Sequence, residues 1–402
     1  YMNNINYLNK IGERELQLLN SDYPKFSSTE YENRRTLFES AMLKNGTDEI
    51  SDAIIYEAGN SGSAIQWLTG WPVTQEALLH IRRGEKLKLY IEHYNHLPMA
   101  EILVHKNVEV IWGERSLSNK IISNIISTTP RIKSTLGVVG RLSINMHNLI
   151  NAVPIQILDM NKNYTSMRLI KSEEELSWIK IGAAMTDNGI SSMVNNIKPG
   201  LTQHELSHAT QSAYIPLGGH KVINFFGITS MDNPNNCVPS QFTSNQKLKK
   251  NDVISTEISA HYWNYPGQIL RTISIGPMTN IYKDLHTIAD EVFSNIRNLL
   301  KDGTHASEII EASKIIEKNG YSIWDDLIHG YGGGYLPPVL GTTSRPADNN
   351  IDFVLKEGMT VVLQPNIITQ DHKSGVQTGE LLLIKKDSCE RLHNYPTGAI
   401  EL

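Results

Sequence analysis

Glu257 stands in the middle of an apolar, strand-like run, Val253-Ile254-Ser255-Thr256-Glu257-Ile258, followed after a turn by Gln268-Ile269-Leu270-Arg271-Thr272. A carboxylate buried alone is costly, so a residue placed like this is either paired or used. Pairing would be a salt bridge to Arg271 across a hairpin, and use would be proton transfer. A second candidate is His204-Glu205-Leu206-Ser207-His208, an HExxH string that on a helix sets two imidazoles one turn apart for zinc. Thr202-x-x-Glu205 is also a capping box, and that reading assigns Glu205 to the helix start. Gly330-Tyr331-Gly332-Gly333-Gly334-Tyr335 has the glycine content of a phosphate cradle, but Pro337-Pro338 follows where a helix would have to begin. Its glycines fit better as backbone that approaches a ligand or another strand closely. Cys237 is a lone thiol, better read as a small buried hydrophobe than as a nucleophile with His220 or His261. Asn45-Gly46-Thr47 has the form of a glycosylation sequon and is read as a turn.

These residues need elements to position them. The chain has 402 residues, 40% of them hydrophobic, which suffices for two or three domains each with a core. Lys+Arg 37 against Asp+Glu 42 gives a formal charge of −5, which disfavours a phosphate-backbone binder, so no nucleic-acid partner is expected. Two cysteines exclude a disulfide framework and a cysteine-rich zinc site. No apolar run approaches the roughly 18 residues of a membrane span, and residues 1–6 lack the pattern of a signal peptide. The expectation is a soluble, cytoplasmic protein with no membrane partner.

Short strand-like runs at 52–56, 87–91, 108–112 and 136–140 alternate with helical stretches, the first through Leu43, and predict a layered α/β domain. Asn161-Lys162-Asn163-Tyr164 reads as a polar break, which puts a domain boundary near 165, giving domains 1–165 and 166–402. Ser172-Glu173-Glu174-Glu175 is a capping box, so a helix is expected from about 173 to Ile197. Helices at 203–214, 282–300 and 305–318, with strands at 253–258, 359–363 and 380–384, predict an α+β second domain.

Four stretches together resemble the pita-bread superfamily of creatinase, aminopeptidase P, prolidase and methionine aminopeptidase. They are Met167-Arg168-Leu169-Ile170-Lys171-Ser172-Glu173-Glu174-Glu175; Asp252 through Gly276 with its Arg271-Thr272; His329-Gly330-Tyr331-Gly332; and Leu355-Lys356-Glu357-Gly358-Met359 through Gln364-Pro365. The resemblance implies an α+β fold, a C-terminal pita-bread domain preceded by an α/β creatinase-type domain. It also implies a homodimer in which one chain's N-terminal domain borders the partner's active site.

Peptidase members hold two metal ions with two Asp, one His and two Glu. Carried onto this chain, those positions become Glu257, Gln268, Gly333 (taken four residues beyond His329), Gln364 and Gly379, with Glu380 adjacent. Hard and borderline cations need several anionic or imidazole ligands, so the resemblance implies the fold while the residues argue against that metal site; no cofactor is expected. Metal-free relatives cleave C–N bonds. The site of creatinase does not transfer, since Leu270, Gln364 and Ser240 stand at its positions, whereas ectoine hydrolase is similar in having a Glu at Glu257 and a Gly-Tyr-Pro-Pro-like run at 334–338.

The function expected is metal-independent opening of a C–N bond in a small polar amide, amidine or N-substituted amino acid. Glu257 is the acid/base or nucleophile, with its pKa raised by desolvation. His329 is a second proton-transfer group and Glu380 a weaker catalytic candidate. Gln268, Gln364, Arg271, His261 and Tyr335 are the expected substrate contacts. Two alternatives stay open: a non-catalytic peptide- or ligand-binding module, and an Xaa-Pro aminopeptidase-like enzyme with a rebuilt metal site using Glu257, His261 or His329.

Overall fold

The computed structural model describes residues 6–43, 50–59, 63–115, 117, 119–128, 135–347 and 352–402. The sequon at Asn45 lies outside them. Two compact units divide the chain: residues 22–168, and residues 6–21 together with 169–402. The first carries six strands, β1 (Ile50–Ala58), β2 (Glu76–Arg82), β3 (Leu87–Ile91), β4 (Val108–Trp112), β5 (Thr135–Val139) and β6 (Gln156–Asp159). Their order is β4-β3-β2-β1-β5-β6, with β1–β2 and β2–β3 antiparallel and the remaining pairs parallel. The helix Asn119–Thr128 buries Ile121, Ile122, Ile125 and Ile126, one helical face, in a core with Ile54, Leu78, Leu136 and Val138. Asp52 is fully buried but not alone: His80 Nε2 lies at 2.7 Å and Arg82 Nε at 2.9 Å.

The expected polar break at 161–164 is instead a helix, Asn161–Met167, whose Tyr164 is packed edge-on against Phe38 at 5.5 Å and Trp67 at 5.6 Å. That aromatic anchor keeps residues 161–168 in the first unit. At the other end, residues 6–21 join the second unit: the Tyr7 amide donates to Asn188 Oδ1 at 2.7 Å and the Tyr262 hydroxyl to the Leu18 carbonyl at 2.9 Å.

The second unit is α+β. Its strands are β7 (His220–Ser230), β8 (Asp252–Tyr262), β9 (Tyr265–Pro266), β10 (Ile269–Ser274), β11 (Ser322–Ile323), β12 (Ile328–Tyr331), β13 (Tyr335–Leu340), β14 (Thr360–Leu363), β15 (Ile367–Ile368), β16 (Gly379–Ile384), β17 (Cys389–Arg391) and β18 (Ile400–Glu401). The main path runs β13-β12-β14-β16-β10-β8-β7, antiparallel throughout. The helix Glu173–Asn196 begins at the expected capping box, with the Glu175 amide donating to Ser172 Oγ and the Ser172 amide to Glu175 Oε2. Helix Asn280–Leu299 buries Tyr282, Leu285, Ala289, Val292, Phe293 and Ile296, one helical face, against Val361, Leu363, Leu382 and Ile384. Each of the larger aliphatic and phenyl side chains contributes about 1.5–3 kcal/mol by leaving water.

Two glycines set the hairpin that carries Glu257. A Cβ at Gly182 would lie 2.6 Å from the Tyr265 carbonyl, and one at Gly267 would lie 2.4 Å from Ala183 Cα. Helix and hairpin therefore touch backbone to backbone, which fixes where Gln268 emerges.

Candidate active site

Strand register decides which of the expected residues meet. In antiparallel pairs, directly opposed residues project to the same face of the sheet, and successive residues alternate. Glu257 is opposite Leu270 and Leu270 is opposite Gly379; Ile269 is opposite both Ile258 and Glu380. Val362 is opposite His329 and Leu381, while Leu363 is opposite Ile328 and Glu380. Glu257 and His329 thus share one face. Glu380 and Arg271 lie on the other.

On the first face, Gln268 Nε2 donates to Glu257 Oε1 at 2.8 Å. Glu257 keeps a sliver of exposure to a cleft of about 450 Å³, whose wall includes Asn236, Ser240, Trp324, Asp325, Arg345 and Gln377. Burial, then the like charges of Asp325 and Asp326, push the Glu257 carboxyl up to about 8. Burial raises Asp325 too. Asp326 is held at both oxygens, by Arg345 Nη1 at 2.6 Å and by the Tyr335 hydroxyl. The Tyr335 ring stacks on His329 at 4.3 Å, and burial pushes its hydroxyl pKa up.

His329 is buried, and the loss of solvent lowers it to about 4, so it is neutral near pH 7. Its Nδ1 faces the Gly330 carbonyl at 3.3 Å; a carbonyl only accepts, which leaves Nε2 as the basic nitrogen. Gln364 lies beside both His329 and Asp325, and donates from Nε2 to the Asp326 carbonyl at 3.1 Å.

Two expected substrate contacts, Arg271 and His261, and the weaker catalytic candidate Glu380 are placed elsewhere. Arg271 does not pair with Glu257: its Nη2 bonds Glu380 Oε2 at 3.0 Å, and its other donors reach the carbonyls of Pro396, Leu270 and Gly379. Glu380 is fully buried between Arg271 and Arg391. Burial alone would raise its carboxyl, yet the two guanidiniums hold it below the usual range. A carboxylate locked this way is unavailable for proton transfer. His261 is buried behind Tyr331, with Nε2 at 2.8 Å from the tyrosine hydroxyl, and desolvation lowers it to about 3.

The competing motifs also resolve. Thr202 Oγ1 accepts from the Glu205 amide at 3.2 Å and Glu205 Oε2 from the Thr202 amide at 2.8 Å, so the HExxH string is a capped helix start. The glycine run ends β12 and makes the turn into β13, and a Cβ at Gly330, still within β12, would lie 2.3 Å from the Pro337 carbonyl. Cys237 is a buried thiol whose pKa desolvation raises.

Residues 177–386 match the model of metallopeptidase family M24. The chain belongs to that family. It is 25% identical over 262 residues to an Xaa-Pro dipeptidase of Pyrococcus furiosus, covering 64% of this chain and 73% of the relative. It is 22% identical over 252 residues to a creatinase of a Bacillus species, covering 60% and 61%. In structure it superposes on a prolidase from Thermococcus sibiricus with a TM-score of 0.79 at 20% identity, covering 94% of this chain and 100% of the other. This likeness supports a pita-bread fold for the second unit, with an N-terminal α/β unit before it.

Membership in M24 raises the question of a dinuclear metal centre. Gln268 and Gln364 are neutral amides, and the first is spent as a donor on the one carboxylate, Glu257. Gly379 has no donor and no room for one: a Cβ there would lie 2.5 Å from the Leu363 carbonyl and 2.9 Å from Gln364 Cα. The imidazole position read at Gly333 falls in the β12–β13 turn, and His329 is the ring that shares the Glu257 face. Among the described residues no cluster of three or more His, Cys, Asp or Glu is arranged to hold a metal. The donor set does not fit two ions.

Sequence reasoning missed Asp325, Asp326, Trp324, Arg345 and Gln377. The first two precede His329 by four and three residues in Trp324-Asp325-Asp326-Leu327, a short acidic turn with no pattern that separates it from a solvated loop.

Proposed function

We propose that this chain catalyses metal-independent cleavage of a C–N bond in a small polar substrate, with Glu257 transferring the proton. Family membership already places it among hydrolases acting on C–N bonds. The observation that carries the finer reading is the Gln268–Glu257 hydrogen bond at 2.8 Å: an amide donor and a carboxyl held near pKa 8 stand where peptidase members would need two ligating carboxylates. A group titrating near the working pH suits general acid/base catalysis, which contributes roughly 10²–10⁴-fold.

In this reading the Glu257 carboxylate takes a proton as a water oxygen bonds to the electrophilic carbon. The tetrahedral intermediate then breaks its C–N bond, and the protonated Glu257 returns the proton to the departing nitrogen. Water is added across the bond and the enzyme is regenerated. Neutral His329, stacked on Tyr335, offers Nε2 as an acceptor on the same face. Gln268 fixes the carboxyl rotamer.

The test is hydrolysis by chelator-treated protein of small amides, cyclic amidines, N-substituted glycines and Xaa-Pro dipeptides, with Glu257→Gln alongside. Turnover that survives chelation and vanishes in the variant supports the proposal. The names of the P. furiosus and T. sibiricus relatives favour a second reading, an Xaa-Pro dipeptidase; turnover of such dipeptides only after manganese or zinc is added would establish it instead. The homodimer implied by the resemblance is part of the same proposal, and sedimentation equilibrium checks it.

A further inference from the structure

We propose that the cleft selects a substrate carrying a cationic, multi-donor nitrogen group of the amidinium or guanidinium class, and that Asp325 and Gln377 read that group. The inference rests on the cleft being the reaction site and narrows what enters it. Three carboxyl groups, Glu257, Asp325 and Asp326, stand close enough to repel one another. The cation in the cleft wall, Arg345, is committed to Asp326 at 2.6 Å. Asp325 accepts from the Asp326 amide at Oδ1 at 2.8 Å and from the Gln364 side chain, and has no ion pair of its own among the described residues.

The independent observation is Gln377. Its side chain lines the same cleft, it is 1% exposed, and its Oε1 has no hydrogen-bond partner. Thr272 clamps its backbone from both sides, receiving at Oγ1 from the Gln377 amide at 2.7 Å and donating to the Gln377 carbonyl at 3.0 Å. The backbone that carries this acceptor is therefore held in place. Gln268 Oε1 is likewise buried without a partner beside Glu257. Orphaned buried acceptors cost about 1–3 kcal/mol each until a donor arrives.

Acceptors and carboxylates together ask for a ligand rich in N–H donors and positive charge. A planar amidinium meets both needs, since its parallel N–H bonds match a carboxylate. Trp324, half exposed in the cleft wall and braced edge-on by His372 at 4.5 Å, offers an indole face to a flat cation. An anionic group would meet Asp325 with like charge and bring no donor to the amide oxygens of Gln377 and Gln268, and a neutral amide would bring half the donors.

The test measures binding of acetamidinium, N-methylguanidinium, acetamide and acetate by calorimetry, with thermal-shift competition, on the full chain. Both cations should bind more tightly than acetamide, and acetate should bind least. Asp325→Asn should cut the cation preference about tenfold, as loss of a charged hydrogen-bond partner does. Gln377→Leu should reduce it less, and Gln377→Glu should increase it, a gain that a misfolded variant would not give. Glu257→Gln should keep the preference while losing turnover. Equal affinity for acetamidinium and acetamide, or a preference untouched by both Asp325→Asn and Gln377→Leu, overturns the inference and leaves Glu257 chemistry standing. Displacement of acetamidinium by submillimolar manganese also overturns it, in favour of a metal in the cleft. Full turnover in Glu257→Gln would instead sink the function while the binding preference is read separately.

Discussion

Glu257 and Glu380 are two acids of one sheet, on neighbouring strand systems, with opposite fates. Glu257 faces a cleft, has an amide for its hydrogen-bond partner and two aspartates for neighbours, and is pushed up to about 8. Glu380 is sealed on the other face between Arg271 and Arg391 and is held below the usual range. The same residue type on the same sheet is thus a proton-transfer group or a structural counter-ion according to what register sets beside it. Burial penalises both; only the company differs.

The largest expected effect that would break this contrast is on turnover. Glu257→Gln should lower activity by roughly 10³-fold, within the range of lost acid/base catalysis, while its melting temperature at pH 7 stays within a few degrees of the parent. Glu380→Gln should do the reverse. Leaving Arg271 buried with its main counter-ion gone should cost about 3–5 kcal/mol in urea titrations, and any residual folded fraction should retain turnover per folded molecule. If the two variants exchange phenotypes, the assignment of faces is wrong.

A smaller effect sharpens the comparison through pH. Glu257 binds its proton more tightly folded than unfolded, so it favours the folded state most below about pH 4.5 and loses that contribution as pH rises through about 8. Glu380 binds its proton less tightly folded, so its contribution is present above its unfolded value and fades in acid. Glu257→Gln should therefore stabilise the protein relative to the parent at pH 9 and not at pH 5. The deficit of Glu380→Gln should shrink as pH falls below about 4.5. Melting curves across this range read both slopes. The smallest effect is none: chelator treatment should leave melting temperature and turnover unchanged, and a loss of either that zinc or manganese restores would return a metal to the Glu257 face.

Much of the fold was legible in the residues. Ser172-x-x-Glu175 and Thr202-x-x-Glu205 start their helices where the capping boxes stand, because that signal is local. The strand read at 87–91 is β3, and those read at 253–258, 359–363 and 380–384 lie within a residue of β8, β14 and β16 or inside them. The domain limit was less legible. Tyr164 sits in a polar stretch whose helix exists because Phe38 and Trp67, more than 90 residues earlier, receive its ring.

In the site, the sequence by itself supplied the amides Gln268 and Gln364 at the positions of the motif segments around Glu257, but not the two aspartates that also stand beside it. It did not determine that Arg271 would turn away. Whether two residues of a hairpin share a face depends on register, and a shift of one residue exchanges every partner. Nor did it determine that Asp325 and Gln377, 68 and 120 positions beyond Glu257, would line one cleft with it. Electrostatic interaction falls off with distance in space and is indifferent to separation along the chain. Composition and motifs therefore set which acids were available, and tertiary structure alone decided which one was left with a raised pKa and which was neutralised by arginine.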